Sequence, residues 1–331
     1  MSKNYYIANY QNRRELFKKY YHWALKTNDC DSNLFLMNYV NKRQEHNIEQ
    51  RFWWAWLYAN TYNAATAFIM FNEFPDFENV DIDRLTKWNA KNYKNLNYEV
   101  DCKWNKNHLP SMFASYRENV YKRSLTQKQY FDSLCTGDST YNFYTLQNEI
   151  TKNWHKFGRY LTFFYLQTLK ETCDLDIEPQ DLLLKEDSSE SHKKGLCYAL
   201  GLDELLDEEN KQIFKSKETN QMLDEEADLL MKELKYEYKD VEFDYFTMET
   251  ALCATKKFFR EKHSRYLGYY IHRQGENIVQ CEAGGWTGID WNLLHQARQE
   301  CLDKRLLSNT IDKSRFGELI RTGTMKHLDW F

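Results

Sequence analysis

Phe52-Trp53-Trp54-Ala55-Trp56-Leu57-Tyr58-Ala59-Asn60-Thr61-Tyr62-Asn63-Ala64-Ala65-Thr66-Ala67-Phe68-Ile69-Met70-Phe71 is the most apolar run of the chain. Its length suits a membrane span, but Asn60, Thr61, Asn63 and Thr66 interrupt it and no basic flank follows. It reads instead as one buried core helix, opened by Gln50 and stopped near Pro75, which cannot continue a helix. Arg51, Trp54, Tyr58 and Tyr62 recur on it at three- and four-residue steps and so share a face. Such a stripe either walls a pocket with a cation and three amphipathic rings, or packs in the core with its hydroxyls satisfied.

The rest of the chain supports that helix with more of the same kind. Its 331 residues suit one large domain or two packed halves, and it holds only 3 Pro and 11 Gly. A sequence so poor in breakers predicts a mainly α, compact multi-helical fold with at most minor strand content. Further helices are expected at residues 12–25, 34–40, 84–91, 109–121, 154–169, 291–305 and 314–321, with acidic helices between 204 and 239. Residues 98–103 read as a strand or an extended link. The polar connector at 173–191 places a soft boundary near residue 175. It separates an N-terminal helical half, 1–175, from a C-terminal half, 176–331, the two packed as one unit.

Net charge is −4, which argues against a general nucleic-acid coat. Cations cluster locally, at Arg117, Lys122, Arg123 and Lys128, at Lys152, Lys156 and Arg159, and at Lys256, Lys257, Arg260, Arg265 and Arg273. Each cluster reads either as part of a basic groove or as a solvated helix face. The 8 cysteines are dispersed, without C-x-x-C and without a secretory signal. They read as reduced thiols of a cytoplasmic protein, and no Cys/His group has zinc spacing, so no metal site is expected.

Hydrolase, zincin, dinucleotide-binding, kinase and deaminase signatures are all absent. Chemistry is concentrated between Lys256 and Arg298, where five of the 11 glycines lie between Gly268 and Gly288 among cations and rings. A phosphate-bearing, flat-ringed ligand suits that mixture, and so do two amphipathic helices joined by a glycine turn. On a helix, Cys253, Lys256 or Lys257, and Arg260 face one way. Tyr270, Arg273 or Gln274, and Asn277 do the same on the next. Asp290 precedes a helix and is either a plain N-cap or a carboxylate placed to take a proton. The segment 191–201, with Lys193 and Lys194 at its start, can hold an anion at a helix N-terminus but lacks P-loop spacing.

Four blocks resemble a known family. They are Glu49 to Tyr62, Asn72-Glu73-Phe74-Pro75-Asp76-Phe77, Lys194-Gly195-Leu196-Cys197-Tyr198-Ala199-Leu200-Gly201 and Glu249-Thr250-Ala251-Leu252-Cys253, joined by Gly285-Trp286-Thr287-Gly288-Ile289-Asp290-Trp291. Together they look like the bacteriophage amino acid:DNA transferases, also described as α-glutamyl/putrescinyl-thymine pyrophosphorylases. The resemblance runs from about residue 15 to 307. It implies an enzyme of the host cytoplasm acting on double-stranded DNA that carries phosphorylated 5-hydroxymethyluracil. There the (pyro)phosphate is replaced by the amine of an amino acid or polyamine, giving a hypermodified thymine. It carries over no residue roles and no membrane partner.

That chemistry assigns tasks to the residues. Departing phosphate needs cations, for which Lys256, Lys257, Arg260 and Arg273 are candidates ahead of Lys193 and Lys194. The amine needs a proton acceptor, Asp290 first, then His272 or Asp101. Arg51 or Arg117 suits a donor carboxylate. Trp286, Tyr270, Tyr58 and Tyr62 suit an everted base. A thiolate such as Cys253 adding to the pyrimidine is a covalent variant. Magnesium with the leaving phosphate is compatible, but no acidic pair demands it. Two other readings stay open: a helical DNA-glycosylase-like enzyme that excises the base, and a phage DNA-binding protein without catalysis.

Overall fold

Asn63 divides the apolar run into two helices. The computed structural model describes residues 13–184, 190–206, 216–258, 270–302 and 307, except the side chains at 100, 101, 257, 258 and 270–272. Among the described residues there are fourteen α-helices and no strand. The chain forms two compact units, one of residues 33–179 and 274–301, the other of residues 1–32, 180–273 and 302–331.

The first unit holds α2 (Ser32–Arg43), α3 (Ile48–Thr61), α4 (Ala64–Glu73), α5 (Ile82–Asn92), α6 (Leu109–Arg123), α7 (Gln127–Leu134), α8 (Ser139–Asn153), α9 (Arg159–Cys173) and α14 (Trp291–Cys301). The other holds α1 (Arg13–Lys26), α10 (Glu190–Leu200), α11 (Lys217–Glu237) and α12 (Tyr245–Phe258). Helix α13 (Tyr270–Glu282) crosses the division.

In the first unit, Tyr62 turns left-handed at φ 49° and its N–H bonds Tyr58 O at 2.7 Å, ending α3. The Asn63 side chain then accepts from Thr66 N at 3.0 Å and starts α4. The single helix expected over 50–71 is therefore corrected to a tight pair, because Tyr62 in the left-handed region ends one helix and the Asn63 side chain starts the next, without Gly or Pro. At the front of α3, Asn47 and Gln50 cap each other reciprocally. Glu49 Oε2 and Oε1 accept the backbone N–H groups of Gln127 and Lys128, each at 2.9 Å, so this carboxylate caps α7 from a distant point in the chain. Helix α7 had no counterpart in the sequence reading.

Rings fill the space around α3. Trp53 stacks on Trp56 at 5.3 Å, Trp56 on Tyr116 at 5.5 Å, and Tyr116 meets Trp154 at 4.6 Å. Trp53 Nε1 donates to Phe74 O at 2.6 Å, so the indole is buried with its polar atom satisfied. Residues 98–103, read as strand or link, lead into a 3-10 turn, Val100–Asn105. The helix expected from 154 begins at Arg159, after Trp154 has capped α8 and Gly158 has opened α9. No helix among the described residues is long and apolar enough to cross a membrane.

In the other unit, α1 lays a basic stripe on acidic α11. Arg14 pairs with Glu226 at 3.0 Å and Glu233 at 2.8 Å, and Lys18 with Glu237 at 2.6 Å. The acids of α11 are thus fixed partners rather than only a solvated face. Tyr21 ties α1 to the start of α12, donating to Asp244 O at 2.9 Å. Asp244 caps α12, accepting from Thr247 N at 2.7 Å. Helices α10 and α12 meet backbone to backbone at Gly195, where a Cβ would lie 2.0 Å from Leu252 O. Only a residue without a side chain permits that approach.

Candidate functional site

The close crossing gathers five chemistry-bearing side chains. Glu249 and Cys253 are one turn apart on α12 and present on one face. Ser191 and His192 come from the first turn of α10. His192 Nδ1 lies 3.1 Å from Glu249 Oε1, and Cys253 Sγ lies 3.5 Å from the same oxygen. Ser191 Oγ sits 3.0 Å from Cys253 Sγ and also accepts from Lys256 Nζ. The His192 ring is 1% exposed and the Glu249 side chain 12%, whereas Cys253 and Lys256 are half-buried. The result is a polar cluster with a sealed floor and a reachable rim. It comprises an imidazole, a carboxylate, a thiol, a hydroxyl and an ammonium.

Beneath it the packing is also polar. Lys193, 4% exposed, donates to Asn220 Oδ1 on α11 at 3.0 Å. Lys194 lies 3.9 Å from Glu190 one turn earlier. Burial pushes Cys173 and Cys197 up to about 12 and leaves them inert fillers of the core. None of the eight cysteines is in a disulfide.

The remaining candidates are spread over both units. Lys256 is the one that joins the cluster. Arg260 lies outside the described residues, as do the side chains of Tyr270, His272, Lys257 and Asp101. Arg273 is half-buried on α13. Asp290 is exposed and caps α14, accepting from Leu293 N at 3.2 Å. Arg51 donates to Thr172 O at 2.6 Å and pairs with Asp174 at 2.7 Å, which engages its guanidinium at the end of α9. Arg117 donates to Val80 O at 2.7 Å and lies over the Phe113 ring. Tyr58 and Tyr62 both pack on Phe164, Tyr58 in the core. Trp286 stands 6.0 Å from Trp88 of α5, and Trp88 shares an open surface concavity with Asp81, Asp83, Arg84, Lys87 and Lys91.

His192, Ser191 and Glu249 were missed as site residues. The four-residue step from Glu249 to Cys253 was a usable signal. Nothing in the sequence pairs either with His192, since only the helix crossing brings them together.

Comparison with known proteins covers the same region. A family model described as amino acid:DNA transferase matches residues 26–263, which include all of α10, α11 and α12 and end before Arg273, Trp286 and Asp290. The serinyltransferase of Salmonella phage ViI is 26% identical over 317 residues, covering 90% of this chain and 75% of that protein.

Proposed function

Because the chain belongs to the amino acid:DNA transferase family, we propose that it replaces the (pyro)phosphate of phosphorylated 5-hydroxymethyluracil in double-stranded DNA with an amine. The donor is an amino acid or polyamine. Serine is the first to try, since a relative bears the name serinyltransferase. In the reaction a C–N bond forms at the 5-methylene, the C–O bond to (pyro)phosphate breaks, and the amine's proton passes to an acceptor.

The observation that carries this reading is the placement of Lys256. It lies in the matched segment, on the rim of the polar cluster and bonded to Ser191. An ammonium there compensates the charge that grows on the departing oxygens. On the other unit, Trp88, with Trp286 beside it, and Lys87 and Lys91 offer rings and cations that a nucleic-acid backbone could use, although Asp81 and Asp83 line the same concavity and Arg84 is paired with Glu73. Asp290 as proton acceptor, and Arg260, Arg273 and His272 as helpers, are proposals from sequence to be decided by substitution.

The test is purified protein with phosphomethyluracil or pyrophosphomethyluracil DNA and a pool of amines, followed by nucleoside mass spectrometry. A mass gain with release of phosphate or diphosphate is expected, and Lys256→Met should lose most of it while still binding DNA. An abasic site would instead support base excision, and unchanged nucleosides with tight binding would leave a DNA-binding role.

A further inference from the structure

We infer that His192, Glu249 and Cys253 form a binding site for a divalent transition-metal ion of the zinc class. Imidazole, carboxylate and thiolate are the donor types such an ion prefers. The three ligand atoms lie within 4.8 Å of one another, with Nδ1 to Oε1 at 3.1 Å and Oε1 to Sγ at 3.5 Å. A tetrahedral ion with ordinary bond lengths sets N···O at about 3.4 Å and O···S at about 3.6 Å. Two of the three edges are therefore already near the coordination polyhedron, and the third closes with a side-chain adjustment.

The surroundings favour the same assignment. Glu249 and Cys253 stack one turn apart on a single helix, which fixes two donors without a loop. His192 is delivered by the close crossing at Gly195 and is almost wholly buried, so its ring direction is set by packing. Ser191 Oγ, 3.0 Å from Sγ, can donate to the thiolate once the thiol proton leaves, and supports it as an outer partner.

Among the described residues three protein donors converge, which with a non-protein fourth ligand is the pattern of a reactive rather than a structural site. One carboxylate and one thiolate balance the 2+ charge. The Lys256 ammonium, bonded to Ser191, then adds positive charge at the rim. An anionic oxygen is the fourth ligand this suits. That this oxygen belongs to a leaving phosphate rests on the proposed transfer reaction. The metal site itself does not.

The test uses the full chain. Metal-free protein is titrated with Co2+ and then with Zn2+ in competition. One equivalent should bind with the near-ultraviolet absorption of thiolate-to-cobalt charge transfer, and Zn2+ should abolish it. Cys253→Ser should lose that band and weaken Zn2+ binding more than tenfold, at unchanged helical content. His192→Gln should weaken binding by at least as much, and where it fails to fold, the wild-type protein supplies a second measurement. Saturating Zn2+ should slow alkylation of Cys253 by iodoacetamide more than tenfold. No charge-transfer band, a band that survives in Cys253→Ser, or alkylation indifferent to Zn2+ overturns the site. Amine transfer by such a metal-free protein would leave the proposed function standing.

Discussion

Replacing Gly195 with alanine should part α10 from α12. The added Cβ would lie 2.0 Å from Leu252 O and 2.6 Å from Leu252 C. Both are backbone atoms of a helix and cannot rotate away. Ordinary contact begins at 3.4 Å, so the two helices must separate locally by about 1.4 Å. Overpacking of this kind costs about 1–3 kcal/mol or more. Alanine in a helix returns about 0.5–1 kcal/mol through backbone entropy. The clash is the larger effect, and a net loss of about 1–2 kcal/mol is expected. Gly275→Ala is the control, because there the new Cβ meets at 2.7 Å the far end of the Arg298 side chain, which can shift at the cost of its bond to Gln274, rather than a helix backbone. Urea unfolding followed by circular dichroism should rank Gly195→Ala clearly below Gly275→Ala. An unchanged or raised midpoint for Gly195→Ala would show that the helices do not cross so closely, and the His192–Glu249–Cys253 cluster would lose its basis.

Other perturbations read other parts of the molecule. Burial among Trp54 and Phe71 lowers His46 from 6.5 to about 4. The unfolded chain takes that proton near pH 6.5 and the folded one only near pH 4, so the stabilising contribution is complete above about 6.5 and is lost as pH falls through 4. An NMR titration should find the ring neutral at pH 5.5, and His46→Gln should flatten the acid side of the stability profile. Trp53→Ala removes a fully buried indole and its bond to Phe74 O, and should cost about 3–5 kcal/mol in denaturant unfolding. Lys87→Glu with Lys91→Glu should weaken DNA binding and lower the slope of log affinity against log salt by about 2, whereas an unaltered slope removes α5 from the DNA surface.

Local signals in the sequence were largely sufficient for the helices. The helix expected at 84–91 is α5, begun by Asp81, whose short polar side chain accepts from Arg84 N; Asp244 does the same for α12, a start that was not read from the sequence. The break at Tyr62–Asn63 was hidden because Tyr62, left-handed without being Gly, is held by the packing of its ring on Phe164 rather than by its own preference. Helix α7 was missed although its N-cap is local, Thr126 accepting from Gln129 N at 3.2 Å; only the further support from Glu49, which accepts the N–H groups of Gln127 and Lys128, comes from far off in the chain. Cys253 and Lys256 could be placed on one face by spacing alone, and both meet at Ser191. Their link to His192 depends on a helix crossing, which periodicity does not encode.

Transfer to DNA is tested most directly by following nitrogen. Purified protein is incubated with phosphomethyluracil or pyrophosphomethyluracil DNA and a 15N-labelled pool of amino acids and polyamines, and the DNA is then digested to nucleosides. The expected result is a new pyrimidine nucleoside that carries 15N on its 5-methylene, formed in step with released phosphate or diphosphate. Phosphate release without 15N in the nucleoside, or an abasic site in place of the modified base, would contradict an amine transferase.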